Sequence, residues 1–523
     1  MASNDLIVPM EVAMPPTEGA AEPRLATNAA LNRGSAQPDR ALRSAGKQQA
    51  REAIRQAARQ GQAELNLSGL ELTELPLELA QLSNLRRLDL SRNLLTTLPA
   101  WFGDLTGLEE VQLGVNLLTA LPPEFGRLVN LRMLDIGGNQ LATLPPEFGQ
   151  LRSLQVLLLM SNRLTALPPE FGRLAELHEL YLSNNQLTGL PSEFGQLGAL
   201  RKLWLHNNPL GQLPTSLSHL LNLEDLSVPG AGLSALPPGL GELTSLRILD
   251  VGSNQLAELP PEVGRLAELR ELYLSSNQLT AVPPELGELA NLEVLELASQ
   301  VNANGQSLSR VPAEIGRLTN LRTLNLSNNQ LIELPAEFGR LTNLQELFLE
   351  NNQMGGLPAS FGELTGLQTL WLYNNQLAEL PPEFGRLASL QGLDLLVNQL
   401  TELPPEFGNL TALQSLDLSE NQLTRLPESF GQLTAVQQLD LTGNQLTELP
   451  AEFGRLTDLV RLYLAFNQLT TLPVSFGQLT KLEELDLDGN PLAEPLPGVV
   501  AQGIAALLAH LQSLASPPHR PGP

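Results

Sequence analysis

One spacing governs this chain. An asparagine returns every 23 residues, at 93, 116, 139, 162, 185 and 208, again at 254 and 277, and then without a gap from 329 to 490. A fixed period of this length decides the fold repeat by repeat, so the 523 residues do not divide into the several domains that length alone suggests. Counting slots rather than asparagines gives 19 repeats, with Leu70, Ala231 and Gln300 in the substituted slots and a six-residue insertion, 301–306, after the last of them. The block at 367–387, LQTLWLYNNQLAELPPEFGRL, shows the frame: Leu367, Leu370, Leu372, Asn375, Leu377, Leu380, Pro381, Phe384, Gly385 and Leu387 recur, and the residues between them vary.

Each part of the frame has a physical reading. In L-x-L the leucines alternate inward and their neighbours outward, as a strand requires. The asparagine satisfies backbone groups left unpaired by the turn that follows. Leu-Pro ends the extended segment, and Phe-Gly-x-Leu packs a short helical or irregular arm from the far side. Ordering a residue costs about 1–2 kcal/mol, more than one isolated repeat recovers by burying its few leucines. Only stacking, which shares each apolar layer between neighbours, makes the fold favourable.

The frame is similar to that of the leucine-rich-repeat family, in the 23-residue intracellular type of plant Ras-group, Shoc-like and bacterial proteins. The similarity covers about residues 65 to 495, with asparagine in 16 of the 19 slots. It implies an α/β solenoid: a right-handed arc with one parallel sheet on the concave face and short helical or irregular arms on the convex face. Such solenoids bind proteins, so a non-enzymatic interaction scaffold, in intracellular signalling, is the expected function. After Asn490, the run N-P-L followed by VAQGIAALLAHL resembles the linker of Roco proteins, which there leads into a GTPase. No G-x-x-x-x-G-K-[ST] loop occurs, so that activity is not carried over.

Outside the repeats, residues 1–45 are rich in Pro, Ala, Gly and Ser and read as a disordered tail. Residues 46–62 place Ala50, Ala53, Ile54, Ala57 and Ala58 at helical spacing and read as an amino-terminal capping helix. The solenoid follows at 63–495, then a carboxy-terminal capping helix at 496–515 with Val500, Ile504, Leu507, Leu508 and Leu511 on one face, and a disordered tail at 516–523.

Composition narrows the function. The net charge of −25 argues against nucleic acid, which needs a basic footprint. Much of that charge is the Glu of the recurring P-E-F-G turn, which also keeps a long solenoid soluble. With no cysteine there is no disulfide and no thiol nucleophile, which favours a reducing compartment or a bacterial source. No apolar run is long enough to span a membrane, and no secretory signal pattern opens the chain. A cytoplasmic monomer is expected, with secretion of a bacterial effector into a host cell as the alternative, and pairing with a separately encoded Roco-like GTPase as another. The histidines never cluster at ligand spacing, and the repeated Glu is a turn feature rather than an acid–base pair, so no catalytic set, metal or cofactor is expected.

The informative positions face outward from the strands. Twelve of the 14 Phe occupy the Phe-Gly slot, whereas all four Tyr, two of the three Trp, Phe348 and Phe466 fall on the strand face or its edge. Two groups stand out: Leu158, Met160, Tyr181, Trp204 and His206 on three consecutive strands, and Phe348, Trp371, Tyr373 and Leu396 on three others. Tyr273 and Tyr463 stand apart. Contiguous apolar patches on a concave wall mark partner sites, while cross-strand aromatic pairs also serve sheet stability; both readings stay open. Asp394, Asp417 and Asp440 form an acidic stretch beside the second group. It suits a basic segment of a protein partner, though Asp is also the commonest residue at that slot.

Overall fold

The computed structural model describes residues 38–515, so the expected tails lie outside the described residues at 1–37 and 516–523. Nineteen three-residue strands, from β1 (Glu64–Asn66) to β19 (Glu484–Asp486), form one sheet in which each strand pairs in parallel with the next in the chain. The pairing register follows the sequence period, as in Glu346 opposite Thr369. It holds across the insertion as well, where Val294 pairs with Thr323. The six extra residues therefore leave the sheet intact and loop out beyond Gln300, with Asn302 accepting hydrogen bonds from the backbone N–H groups of Asn304 and Gln306.

Inward leucines such as Leu370 and Leu372 are fully buried. Behind them each repeat returns through a 3-10 helix, of which Pro382–Arg386 is typical, with Phe384 pointing into the core. The phenylalanine rings stack along the solenoid in two runs, 102 to 194 and 338 to 476, with centroids 5.9–6.4 Å apart and planes within 4°. Between these runs Leu217, Leu240, Val263, Leu286 and Ile315 fill the same slot. The glycine after each phenylalanine is a steric requirement: a Cβ on Gly385 would collide with the carbonyl oxygen of Glu406 in the next repeat. Gly385→Ala is therefore expected to destabilise the chain by about 1–3 kcal/mol through forced separation of two arms. Urea unfolding followed by circular dichroism measures this, and an unchanged midpoint would refute it.

The asparagines do more than close their own turns. Asn375 Oδ1 accepts a hydrogen bond from the N–H of Met354 in the preceding repeat, at 3.1 Å. Its Nδ2 donates to the carbonyl of Leu372 in its own repeat and to that of Leu349 in the preceding one, both at 3.0 Å. Leu349 accepts a second bond from Asn352, so the two lone pairs of each such carbonyl are shared between successive asparagines. Gln300 enters the same ladder, accepting from Leu279 N–H at 3.2 Å and donating to the Leu274 carbonyl at 2.8 Å.

Both ends are capped, with bounds that differ from expectation. Helix α1 spans Pro38–Gln60, so residues 38–45 are helical rather than part of a disordered tail. The fixed φ of proline suits a first helical turn, which explains where α1 begins. Ala50, Ile54 and Ala57 bury against the first repeat, and Arg51 pairs with Glu78 at 3.4 Å. At the other end the single helix expected over 496–515 is two: α2 (Leu496–Val500) and α3 (Ile504–Ala515). The break falls at Gly503, which takes the left-handed conformation at φ +98°. Leu507 and Leu511 close the last apolar layer, and Gln512 Nε2 donates to the Gly477 carbonyl at 2.6 Å. This packing accounts for the apolar residues of 500–511 as a cap.

Candidate functional site

A strand's alternate side chains leave the sheet on the face away from the core. On β5 (Val156–Leu158), β6 (Glu179–Tyr181) and β7 (Lys202–Trp204) the register sets Leu158 beside Tyr181 and Tyr181 beside Trp204. Tyr181 meets Trp204 edge to face, with centroids 5.0 Å apart at 85°, and His206 lies over Trp204 at 5.5 Å and 23°. Leu158, Met160, Tyr181 and Trp204 form a small apolar cluster of their own outside the main core. Polar edges are matched internally. Tyr181 donates its hydroxyl hydrogen to Glu179, and Trp204 Nε1 donates to Asp225 Oδ2 at 3.1 Å. Lys202 Nζ stands 5.5 Å over the Trp204 ring and 3.9 Å from that same Asp225 oxygen.

The second cluster has the same plan. On β13 (Glu346–Phe348), β14 (Thr369–Trp371) and β15 (Gly392–Asp394), Phe348 lies beside Trp371 and Trp371 beside Asp394. The two rings meet at 4.8 Å and 71°. Trp371, Tyr373 and Leu396 remain partly exposed, and the neighbouring Val397 is 42% exposed at a left-handed φ of +54°. Both clusters are bordered by asparagine steps at the turn: Asn207 donates to Asn184, and Asn374 to Asn351, each at 2.8 Å. The clusters lie seven strands apart, roughly 34 Å at ~4.8 Å per strand. The structure thus groups Leu158, Met160, Tyr181, Trp204 and His206 in one place and Phe348, Trp371, Tyr373, Leu396 and Asp394 in another. Tyr273 and Tyr463 stand on the same face without a ring partner among the described residues, Tyr273 donating to Glu271 at 2.9 Å.

The acidic stretch has a local role that its sequence did not disclose. Asp394, Asp417 and Asp440 each accept a hydrogen bond from the backbone N–H two residues on, those of Leu396, Ser419 and Thr442. They hold the bend that ends the strand, as Asn66 and Asn325 do in other repeats. The register sets the three carboxylates side by side on β15, β16 (Ser415–Asp417) and β17 (Gln438–Asp440). Burial, then the neighbouring Asp417 carboxylate, pushes Asp394 up to about 7, and burial also raises Asp417 and Asp440.

Sequence reasoning passed over Glu350. It stands one slot beyond the L-x-L of β13, where among all the repeats only Glu350 and Asp488 are acidic. That rarity was the available signal. Glu350 is 6% exposed, and its Oε2 is enclosed with no hydrogen-bond partner among the described residues. Burial raises it to about 7, with the Ser327 hydroxyl acting in the opposite sense. No group of three or more metal-binding side chains occurs among the described residues, and no described helix is long and apolar enough to cross a membrane.

The family described as leucine-rich repeat region matches residues 123–229, 214–307, 300–376 and 406–514. Further leucine-rich-repeat matches cover 63–118 and 366–387. Among solved structures, a leucine-rich-repeat protein of Leptospira interrogans is 34% identical, over 86% of this chain and 95% of that one, with a TM-score of 0.54. YopM from Yersinia enterocolitica is 29% identical over 86% and 91% of the two chains, with a TM-score of 0.60. The plant peptide hormone receptor RGFR1, solved in complex with RGF2, is 29% identical over 82% and 78%, with a TM-score of 0.63. A comparison with curated proteins finds no significant match.

Proposed function

The chain belongs to the leucine-rich-repeat family, whose solenoids generally serve as non-catalytic protein-binding modules, and from this we propose that it holds a protein partner on its concave wall, anchored by one or both aromatic clusters. One observation carries the reading: two separate strand triplets repeat the same aromatic pair and asparagine border on the face that the main core does not use. Aromatic anchors of limited flexibility are the side chains that dominate protein interfaces. The similar receptor RGFR1, solved with RGF2, is consistent with occupancy by a polypeptide. Expression in the cytoplasm as a signalling scaffold suits the absence of cysteine from the sequence.

The test is affinity capture with two double variants, Tyr181→Ser with Trp204→Ser and Phe348→Ser with Trp371→Ser. At least one pair is expected to reduce recovery of a specific partner by about tenfold or more, as loss of two interface anchors does. If both variants fold, by circular dichroism and melting, and each retains every partner, the concave wall is not the binding surface.

A further inference from the structure

The two aromatic clusters differ in one respect, and the difference identifies what the second one takes. In the first cluster the protein supplies its own cation. Lys202 Nζ lies 5.5 Å over the Trp204 ring and is balanced by Asp225. The equivalent residues in the second cluster, by the same repeat slots, are Thr369 for Lys202 and Gly392 for Asp225. The Trp371 ring therefore has no ammonium or guanidinium beside it from the strand that carries it. Its surroundings carry the opposite charge instead. Glu350 takes the slot held by Ser183 in the first cluster, and its Oε2 is enclosed without a partner among the described residues. Asp394 stands beside Trp371 on the other side.

The wider wall agrees. From β10 (Glu271–Tyr273) to β17 the outward slots of the strands carry Glu271, Glu296, Glu346, Glu350, Asp394, Asp417 and Asp440, and not one Lys or Arg. Arg270 and Arg322 sit one residue earlier, at the rim, where both are paired with Glu293, and the other arginines of this half lie in the arms and loops. A carboxylate with one oxygen unsatisfied in a half-dry aromatic surround costs free energy unless a cation completes it. A flat indole face next to that carboxylate adds cation–π attraction for the same charge.

We propose that the niche formed by Glu350, Phe348, Trp371, Tyr373 and Asp394 receives an arginine or lysine side chain from an exposed basic segment of the protein partner. The incoming charge lies over Trp371, where Lys202 lies over Trp204, and its head group bonds to the Glu350 carboxylate once that enclosed side chain turns outward. This deepens the concave-wall reading above and rests on it. The groups facing Glu350 set the pH dependence. Glu296 and Asp394 are acidic, Tyr373 is a neutral phenol, and the adjoining β12 (Thr323–Asn325) offers no ionisable group at its outward slots. Burial holds Glu350, Glu296 and Asp394 protonated up to about 7, so a cation must displace protons and binds more tightly as pH rises through that range.

The probe is a fluorescently labelled decapeptide of alternating Arg and Leu, titrated into the full chain by anisotropy, against a matched peptide with Gln for Arg. The Arg peptide is expected to bind at least about tenfold more tightly, and more tightly at about pH 8 than at pH 5.5. Glu350→Gln is expected to weaken it about tenfold and to flatten the pH profile. Thr369→Lys, which builds the missing cation into the chain, is expected to block the peptide while leaving melting unchanged or raised. Glu383→Gln, in the arm Pro382–Arg386 behind the sheet, should leave the affinity within about twofold. Equal binding of the two peptides, no binding of either, or wild-type affinity in both Glu350→Gln and Thr369→Lys would overturn the proposal. If it is overturned while Phe348→Ser with Trp371→Ser still abolishes partner capture, the concave wall remains the binding surface and the cation niche alone is rejected.

Discussion

Replacing Asn375 by alanine is expected to destabilise the solenoid by about 2–4 kcal/mol, because it leaves a buried Met354 N–H with no acceptor and removes one bond from each of two carbonyls. The loss is bounded because those carbonyls keep their other donors: Leu349 retains Asn352 and Leu372 retains Asn398. The orphaned amide has no such reserve and cannot reach water, since Met354 is fully buried. Asn375→Asp separates this mechanism from loss of side-chain volume. It preserves the acceptor for Met354 but presents a carboxylate, rather than an amide hydrogen, to the two carbonyls, and should be at least as damaging. Contacts in a solenoid run only between neighbours, so the damage should be local, splitting urea unfolding into two steps and accelerating hydrogen exchange at Met354 first. An alanine variant within about 0.5 kcal/mol of the native chain would show that the ladder is dispensable.

Asp394→Asn is expected to stabilise the chain at neutral pH and to do nothing in mild acid. In the folded chain burial, then the neighbouring Asp417, holds this carboxyl protonated up to about 7. In the unfolded chain the same group ionises near the ordinary aspartate value of about 3.9. Between these limits the folded state binds the extra proton, so stability falls as pH rises from about 4 to about 7. Any advantage of the protonated group is complete in acid and lost above neutrality. Asparagine removes the charge yet keeps an acceptor for the Leu396 N–H, as Asn325 does for Ser327. The variant should melt about 2 °C or more above the native chain at pH 8 and within about 1 °C of it at pH 4.5. Equal shifts at the two pH values would mean that the effect is not titration of this residue, and no shift at pH 8 would mean that the carboxylate is solvated.

The frame residues were legible because each answers a rule of local geometry. Leu370 and Leu372 alternate as a strand demands, Pro381 ends it, and Phe384 and Gly385 recur wherever an arm must pack. The outward position of Trp371 and Tyr373 followed from the same alternation. The closeness of their packing did not: Trp204 and Tyr181 are nearly enclosed by neighbours 23 residues away, and a strand pattern says nothing of how side chains on adjacent strands lean. Asp394 likewise looked like surface charge, until its backbone bond showed it to be part of a turn. The helix ends were misplaced because Pro38 opens α1 ahead of its apolar spacing, and Gly503 interrupts an apolar pattern that reads as continuous.

The period by itself determined that this chain is a one-dimensional stack. A 23-residue unit with one apolar face is unstable alone and stable beside its copies, whatever fills its variable slots. Tertiary structure decided what those slots mean, because the relevant neighbours are a full repeat away. Only the register sets Asn375 against the backbone of the previous repeat, pairs Phe348 with Trp371, and leaves Glu350 enclosed with no hydrogen bond to Oε2 among the described residues. In sequence only its rare slot sets such a carboxylate apart from a surface glutamate. Its environment, and hence its chemistry, comes from side chains of adjacent strands.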